Sequence, residues 1–245
     1  MRRFRRHVAG GAIVVALFAA CGDGRRPDVA RSTPESSSPS VPPSRPGAGE
    51  PLPGERVDIF PYAGARLAVV GVATGDTLKV RAGPGVQFDV VVELRPLAAD
   101  AVATGHNRSL GPAGFWAEIG VGGKTGWANV AFLLQPGDSQ DITAAIYATP
   151  AARPSAGSME ALAGSVAKLR ASEEPSSRVV VVDGPTLGDL AEVTVDVIGL
   201  GDDSQGGERL RIFADPMPGG GRFTLRTVEA TALCSRGVTR ERLCI

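Results

Sequence analysis

Between Leu67 and Cys234 the apolar residues of this chain come in short runs of β-forming type, cut apart by turn residues, and one segment alone carries helical spacing. A run of about four to eight residues buries too little surface by itself, so such runs are stable only when several pair into a sheet. In the first half the runs are residues 67–72, 78–81, 88–94, 101–104, 115–119 and 126–130. Thr74-Gly75-Asp76, Ala82-Gly83-Pro84-Gly85, Gly105-His106-Asn107 and Gly122-Gly123-Lys124 supply the turns between them. That rhythm predicts a small barrel or sandwich. Gly83 and Gly85 bracket Pro84, as a tight turn with a positive φ on glycine requires. Gly126, just before Trp127, marks a strand position where another backbone comes close.

After Pro136-Gly137-Asp138 the composition turns aliphatic, and only Tyr147, Phe213 and Phe223 are aromatic. Ser158 opens a predicted helix that runs to about residue 170, with Met159, Leu162, Val166 and Leu169 as one apolar stripe. Ser158 is placed to cap the N-terminus, Glu160 lies at the positive end of the helix dipole, and Lys168 and Arg170 lie at the negative end. Strand-like runs follow at residues 178–182, 192–198, 209–213 and 222–234, and Val193, Val195 and Val197 alternate with Thr194 and Asp196 as in a sheet buried on one face. The expected fold class is therefore mainly β: a small barrel over residues 58–137, then a small α+β domain over 138–245 with one helix and an antiparallel sheet of about four strands.

The N-terminus has a different character. Arg2, Arg3, Arg5 and Arg6 precede an apolar run of thirteen residues from Val8 to Ala20. That run is too short to span a hydrocarbon core of about 30 Å, yet it suits the core of an export signal over residues 1–20. Its end, Leu17-Phe18-Ala19-Ala20-Cys21, resembles the lipobox of bacterial lipoproteins. The resemblance implies cleavage before Cys21, lipid attachment to it, and residence on the outer face of the cytoplasmic membrane, or on the outer membrane if the cell has one. Residues 22–57 hold eight prolines with many serines and glycines and few large apolar residues, so residues 21–57 are expected to form a lipidated, extended tether.

Charge and histidine content narrow the function classes. The chain has 26 basic and 26 acidic residues, and beyond residue 20 the counts become 22 and 26, a net charge of −4. An acidic chain without a basic stripe lacks the electrostatic footprint of a nucleic-acid binder. Beyond the leader His106 is the single histidine, which leaves no Cys/His, Ser/His/Asp or multi-histidine metal constellation. No cofactor, metal or catalytic residue is expected.

Leu78-Lys79-Val80-Arg81-Ala82-Gly83-Pro84-Gly85, then Trp116-Ala117-Glu118-Ile119, then Gly123-Lys124-Thr125-Gly126-Trp127-Ala128 occur in that order. Together they resemble the signature elements of bacterial SH3-like (SH3b) domains over nearly the whole of residues 58–137. Lys79 stands where that family usually has Asn, Ala82 where it has Ser, and Leu97-Ala98-Ala99 where it often has a Lys-Gly turn. The resemblance implies a peptide-binding module, often for cell-wall peptides. Strand parity puts Phe115, Ala117 and Ile119 on one face and Trp116 on the other, either toward solvent or a groove or covered by a neighbouring loop. Trp116 is the first candidate ligand contact, and Arg81 and Phe88, flanking the Gly83-Pro84-Gly85 turn, are the others.

Two further features complete the reading. Cys234 and Cys244 enclose nine residues in a chain expected to be exported, which predicts a disulfide. The segment from Gly201 to Glu208 holds Asp202, Asp203 and Glu208, and reads either as a solvated hairpin loop or as a carboxylate site for a cation or acid/base chemistry, which Asp196 and Glu229 could join. The expected function is non-catalytic binding of peptidoglycan peptide or an envelope protein partner. The alternatives are a carboxylate-based cell-wall hydrolase and a recruiting protein that works through its C-terminal domain.

Overall fold

The computed structural model describes residues 51–174 and 176–245; the leader, Cys21 and most of the tether lie outside them. In chain order the first part holds β1 (Glu55–Arg56), β2 (Arg66–Val69), β3 (Leu78–Arg81), β4 (Val90–Leu94), β5 (Ala101–Ser109), β6 (Phe115–Val121) and β7 (Lys124–Asn129). Then come β8 (Leu133–Asp141), a short helix α1 (Thr143–Ile146), β9 (Ser155–Ala156) and helix α2 (Met159–Lys168). Four long strands close the chain: β10 (Arg178–Thr186), β11 (Ala191–Ile198), β12 (Gln205–Pro216) and β13 (Phe223–Cys234).

The protein is mainly β, as its apolar rhythm predicts. One antiparallel sheet runs in the order β10-β11-β12-β13-β8-β2-β5-β6-β7-β3-β4, with β1 paired to β5 and β9 to β13. Two large cores lie along it, with a small third cluster of Ala68, Val70 and Leu233. Leu67, Val69, Val80, Ala117, Ile119 and Leu133 fill the first. In the second, Met159, Leu162 and Val166 of α2 pack on Val193, Val195, Leu210 and other residues of the long strands. Burying each such side chain stabilises by about 1.5–3 kcal/mol. The Ser158 hydroxyl accepts a hydrogen bond from the Ala161 amide at 3.2 Å, which caps the start of α2 as its sequence predicts.

Strand β8 joins the two cores. Leu133 and Leu134 pair with Val69 and Ala68 of β2, while the rest of the strand pairs with β13. Pro136-Gly137-Asp138, the sequence boundary between the halves, therefore lies inside a strand. Arg242 of the C-terminal tail also donates to the Pro136 and Gly137 carbonyls at 3.0 and 2.7 Å. The tail is held by the Cys234–Cys244 disulfide.

Several local expectations shift. Gly105-His106-Asn107 is not a turn but an irregular stretch of β5, with Gly105 at φ +88°. The tether gives way to hydrogen-bonded chain before residue 58: Arg108 donates to the Leu52 and Gly54 carbonyls, and Glu55 and Arg56 pair with β5. Leu169 follows the last helical residue and is exposed, so it drops out of the α2 stripe. The face of β11 that carries Thr194 and Asp196 is buried like its valine face. Alternation fails there because Asp196 is paired in place with Arg209 and accepts a hydrogen bond from the Gly71 amide. Among the described residues no helix is long and apolar enough to cross a membrane.

Candidate functional site

Glycine places two of the sequence-predicted residues. A Cβ on Gly83 would lie 2.8 Å from the Phe88 ring, so only glycine lets that ring fold over the turn, and Gly85 takes the positive φ, +135°. The Phe88 carbonyl in turn accepts a hydrogen bond from Arg81 Nη1 at 2.7 Å. Phe88 is buried and packs the turn, outside the groove lining described below. Arg81 is held by that bond at one nitrogen and lines an open groove.

Strand parity holds on β6 with one exception. Ala117 and Ile119 point into the first core; Phe115, at the strand start, is 45% exposed. Trp116 lies on the opposite face and is nonetheless covered, at 4% exposure, with its indole N–H donating to the Ala113 carbonyl at 3.3 Å. The 3-10 turn Gly111–Ala113 thus holds the ring, which lines a groove.

The groove has a volume of about 580 Å³. Its apolar lining comes from Val72, Leu78, Trp116, Phe132 and Val180. Val86 stands at its rim, 75% exposed. Charged groups border it unevenly, with Lys79, Arg81 and Arg178 against the single carboxylate of Asp76. Arg178 and Val180 belong to β10, far along the chain from the rest. They reach the groove because the Thr74 amide donates to the Val181 carbonyl at 2.9 Å and Arg178 Nη1 donates to the Gly71 carbonyl at 3.0 Å. The structure places the sequence candidates Trp116 and Arg81 along one groove, and adds Arg178 and Val180 of β10, for which no local signal exists in the sequence.

A second concavity of about 540 Å³ lies beside β1 and β5. It holds His106, whose Nδ1 is 2.8 Å from Glu118 Oε2, together with Arg56, Asp58 and Trp127. The Thr104 hydroxyl donates to the same Glu118 oxygen at 2.8 Å.

The carboxylates of the C-terminal half do not form a shared centre. Asp202 accepts hydrogen bonds from the Ser204 and Gln205 amides and the Ser204 hydroxyl, which hold its pKa below the ordinary aspartate value, the Gln205 amide most strongly. Asp203 meets Arg236 at 2.7 Å. Glu208 belongs to β12 rather than to a loop, is buried, and accepts two hydrogen bonds from Arg170 at 2.9 and 2.7 Å. That pairing raises the Arg170 pKa. Asp196 is held by Arg209 and Glu229 by Arg211. Among the described residues no cluster of three or more His, Cys, Asp or Glu side chains is arranged to hold a metal ion.

Comparison with protein-family models, with curated proteins and with solved structures gives no match to this chain.

Proposed function

We propose that the protein is a lipid-anchored envelope protein, attached through Cys21, that binds cell-wall peptide in the groove bordered by Trp116, Arg81 and Val86. The observation that carries this reading is the groove itself: an apolar lining with a few polar and charged groups is the usual make-up of a ligand site. The export leader, the lipobox-like Cys21 and the SH3b-like motifs point the same way. A hydrolytic role for Asp202, Asp203 and Glu208 has less support, because each carboxylate is already engaged by its own partners.

The test is co-sedimentation of the full chain with purified peptidoglycan, beside a Val86→Asp variant. Val86 is exposed at the groove rim, so this change places a charge in the binding path without touching a core. The chain should pellet with the wall and the variant should not. Equal pelleting would move binding away from this groove. No pelleting of either would favour an envelope protein partner instead.

A further inference from the structure

Residues 51–245 carry 18 basic and 22 acidic residues, yet the groove lined by Trp116 is cationic. Lys79, Arg81 and Arg178 line it with one carboxylate, Asp76. Among the described residues none of the three cations has a salt-bridge partner, whereas six of the other fifteen lysines and arginines do. Lys79 stands opposite Glu93 in the β3–β4 register, but Glu93 instead accepts the Thr77 hydroxyl at 2.7 Å. Arg81 and Arg178 are each oriented by a single hydrogen bond to a backbone carbonyl, which leaves further N–H donors on each guanidinium. Three oriented or exposed cations beside an apolar lining form a receptor for an anion carried on a partly apolar chain.

We infer that the groove is a composite site that reads a peptide carboxylate, with Lys79 and Arg81 supplied by the first half of the chain and Arg178 by the second. This rests on the wall-binding reading above and names the chemistry that the groove selects. It also gives the C-terminal half a part in recognition: Arg178 and Val180 line the groove, and β10 is an edge strand whose outer side carries the contact with Thr74. The occupant is an extended wall peptide with a free carboxylate, its apolar side chains on Val72, Phe132 and Val180.

The experiment compares two preparations of the same peptidoglycan, both stripped of phosphate polymers by hydrofluoric acid. One keeps its carboxyl groups; in the other they are converted to neutral amides with a carbodiimide and ethanolamine. The full chain is titrated against each. General electrostatics and the composite site predict opposite signs. Beyond residue 20, in the part left once the expected leader is removed, the chain is net acidic, so removing wall carboxylates relieves repulsion and strengthens any non-specific adsorption. Loss of a charge-assisted contact weakens binding by about tenfold or more. The expected result is that fall, together with a similar loss for Lys79→Gln on the unmodified wall. Lys79 is exposed and its side chain makes no hydrogen bond within the described structure, so that variant keeps the fold; Arg178→Gln, checked by circular dichroism, should behave likewise. Equal or tighter binding to the amidated wall would overturn the carboxylate inference and leave wall binding standing. Failure to bind the unmodified wall would overturn both.

Discussion

Arg209 grips Asp196 with two hydrogen bonds, Nε to Oδ1 at 2.7 Å and Nη2 to Oδ2 at 2.9 Å, and the same Nη2 donates to the Val69 carbonyl at 2.7 Å. The Gly71 amide completes the arrangement by donating to Asp196 Oδ2 at 2.8 Å. Two residues facing each other on β11 and β12 are thus tied to the end of β2, and this strand pair is locked to the loop that lines the groove. Removing Arg209 leaves Asp196, fully buried, without its counter-charge. Arg209→Ala should lower the unfolding free energy by about 3–5 kcal/mol. Arg211→Ala, which breaks exposed pairs with Glu192 and Glu229, should cost under about 1 kcal/mol. Urea unfolding of the two variants checks this, and equal losses would contradict it.

Gly126 is a packing requirement. A Cβ there would lie 2.8 Å from the Arg81 carbonyl oxygen and 2.7 Å from Val91 Cγ2. Gly126→Ala should destabilise by about 1–3 kcal/mol, because β3 and β7 must move apart to admit a methyl group. Thermal unfolding reads the effect. An unchanged midpoint would show that the strands have slack.

The Cys234–Cys244 bridge spans a sequence separation of 10 and holds the tail against β8. Cys244→Ser should lower stability by about 2–3 kcal/mol. Amide exchange should speed up at Asp138, whose N–H is bonded to the Arg242 carbonyl. Protection at Asp138 that survives the substitution would mean that the Arg242 contacts suffice alone.

The Asp202 carboxylate is stabilised by the Gln205 amide, the Ser204 hydroxyl and amide, and Arg236, which lower its pKa from the ordinary 3.8. A lowered folded-state value contributes stability above the unfolded value, and that contribution is lost as pH falls through the folded one. The Ser204 and Gln205 amides should therefore stay ordered at neutral pH and loosen only below 3.8, as followed by their amide chemical shifts. Asp202→Ala should abolish this acid transition. A transition well above that pH would contradict the assignment.

The strand rhythm was legible because local composition sets it. Residues 78–81 coincide with β3, and Ser158 caps α2 where the spacing indicates. What could not be read was long-range. Pro136-Gly137-Asp138 looks like a linker by composition, yet its backbone finds β13 and the Arg242 side chain across about a hundred residues. Asp196 looks like a solvent-facing strand residue, because nothing near it in sequence announces Arg209 beneath the loop at residue 71. The groove was half visible: Trp116 and Arg81 stand in recognisable motifs, whereas Arg178 and Val180 enter through a strand contact with Thr74 that no spacing encodes.

The chain has two tryptophans, and each reports on a different concavity: Trp116 lines the cationic groove and Trp127 the one beside His106. Titrating the ¹⁵N-labelled full chain with soluble peptidoglycan fragments and following both indole N–H signals reads whether wall peptide occupies this groove. The Trp116 signal should shift in a saturable way while that of Trp127 stays in place. A shift confined to Trp127, or no shift at either ring, would contradict a wall-peptide site in this groove.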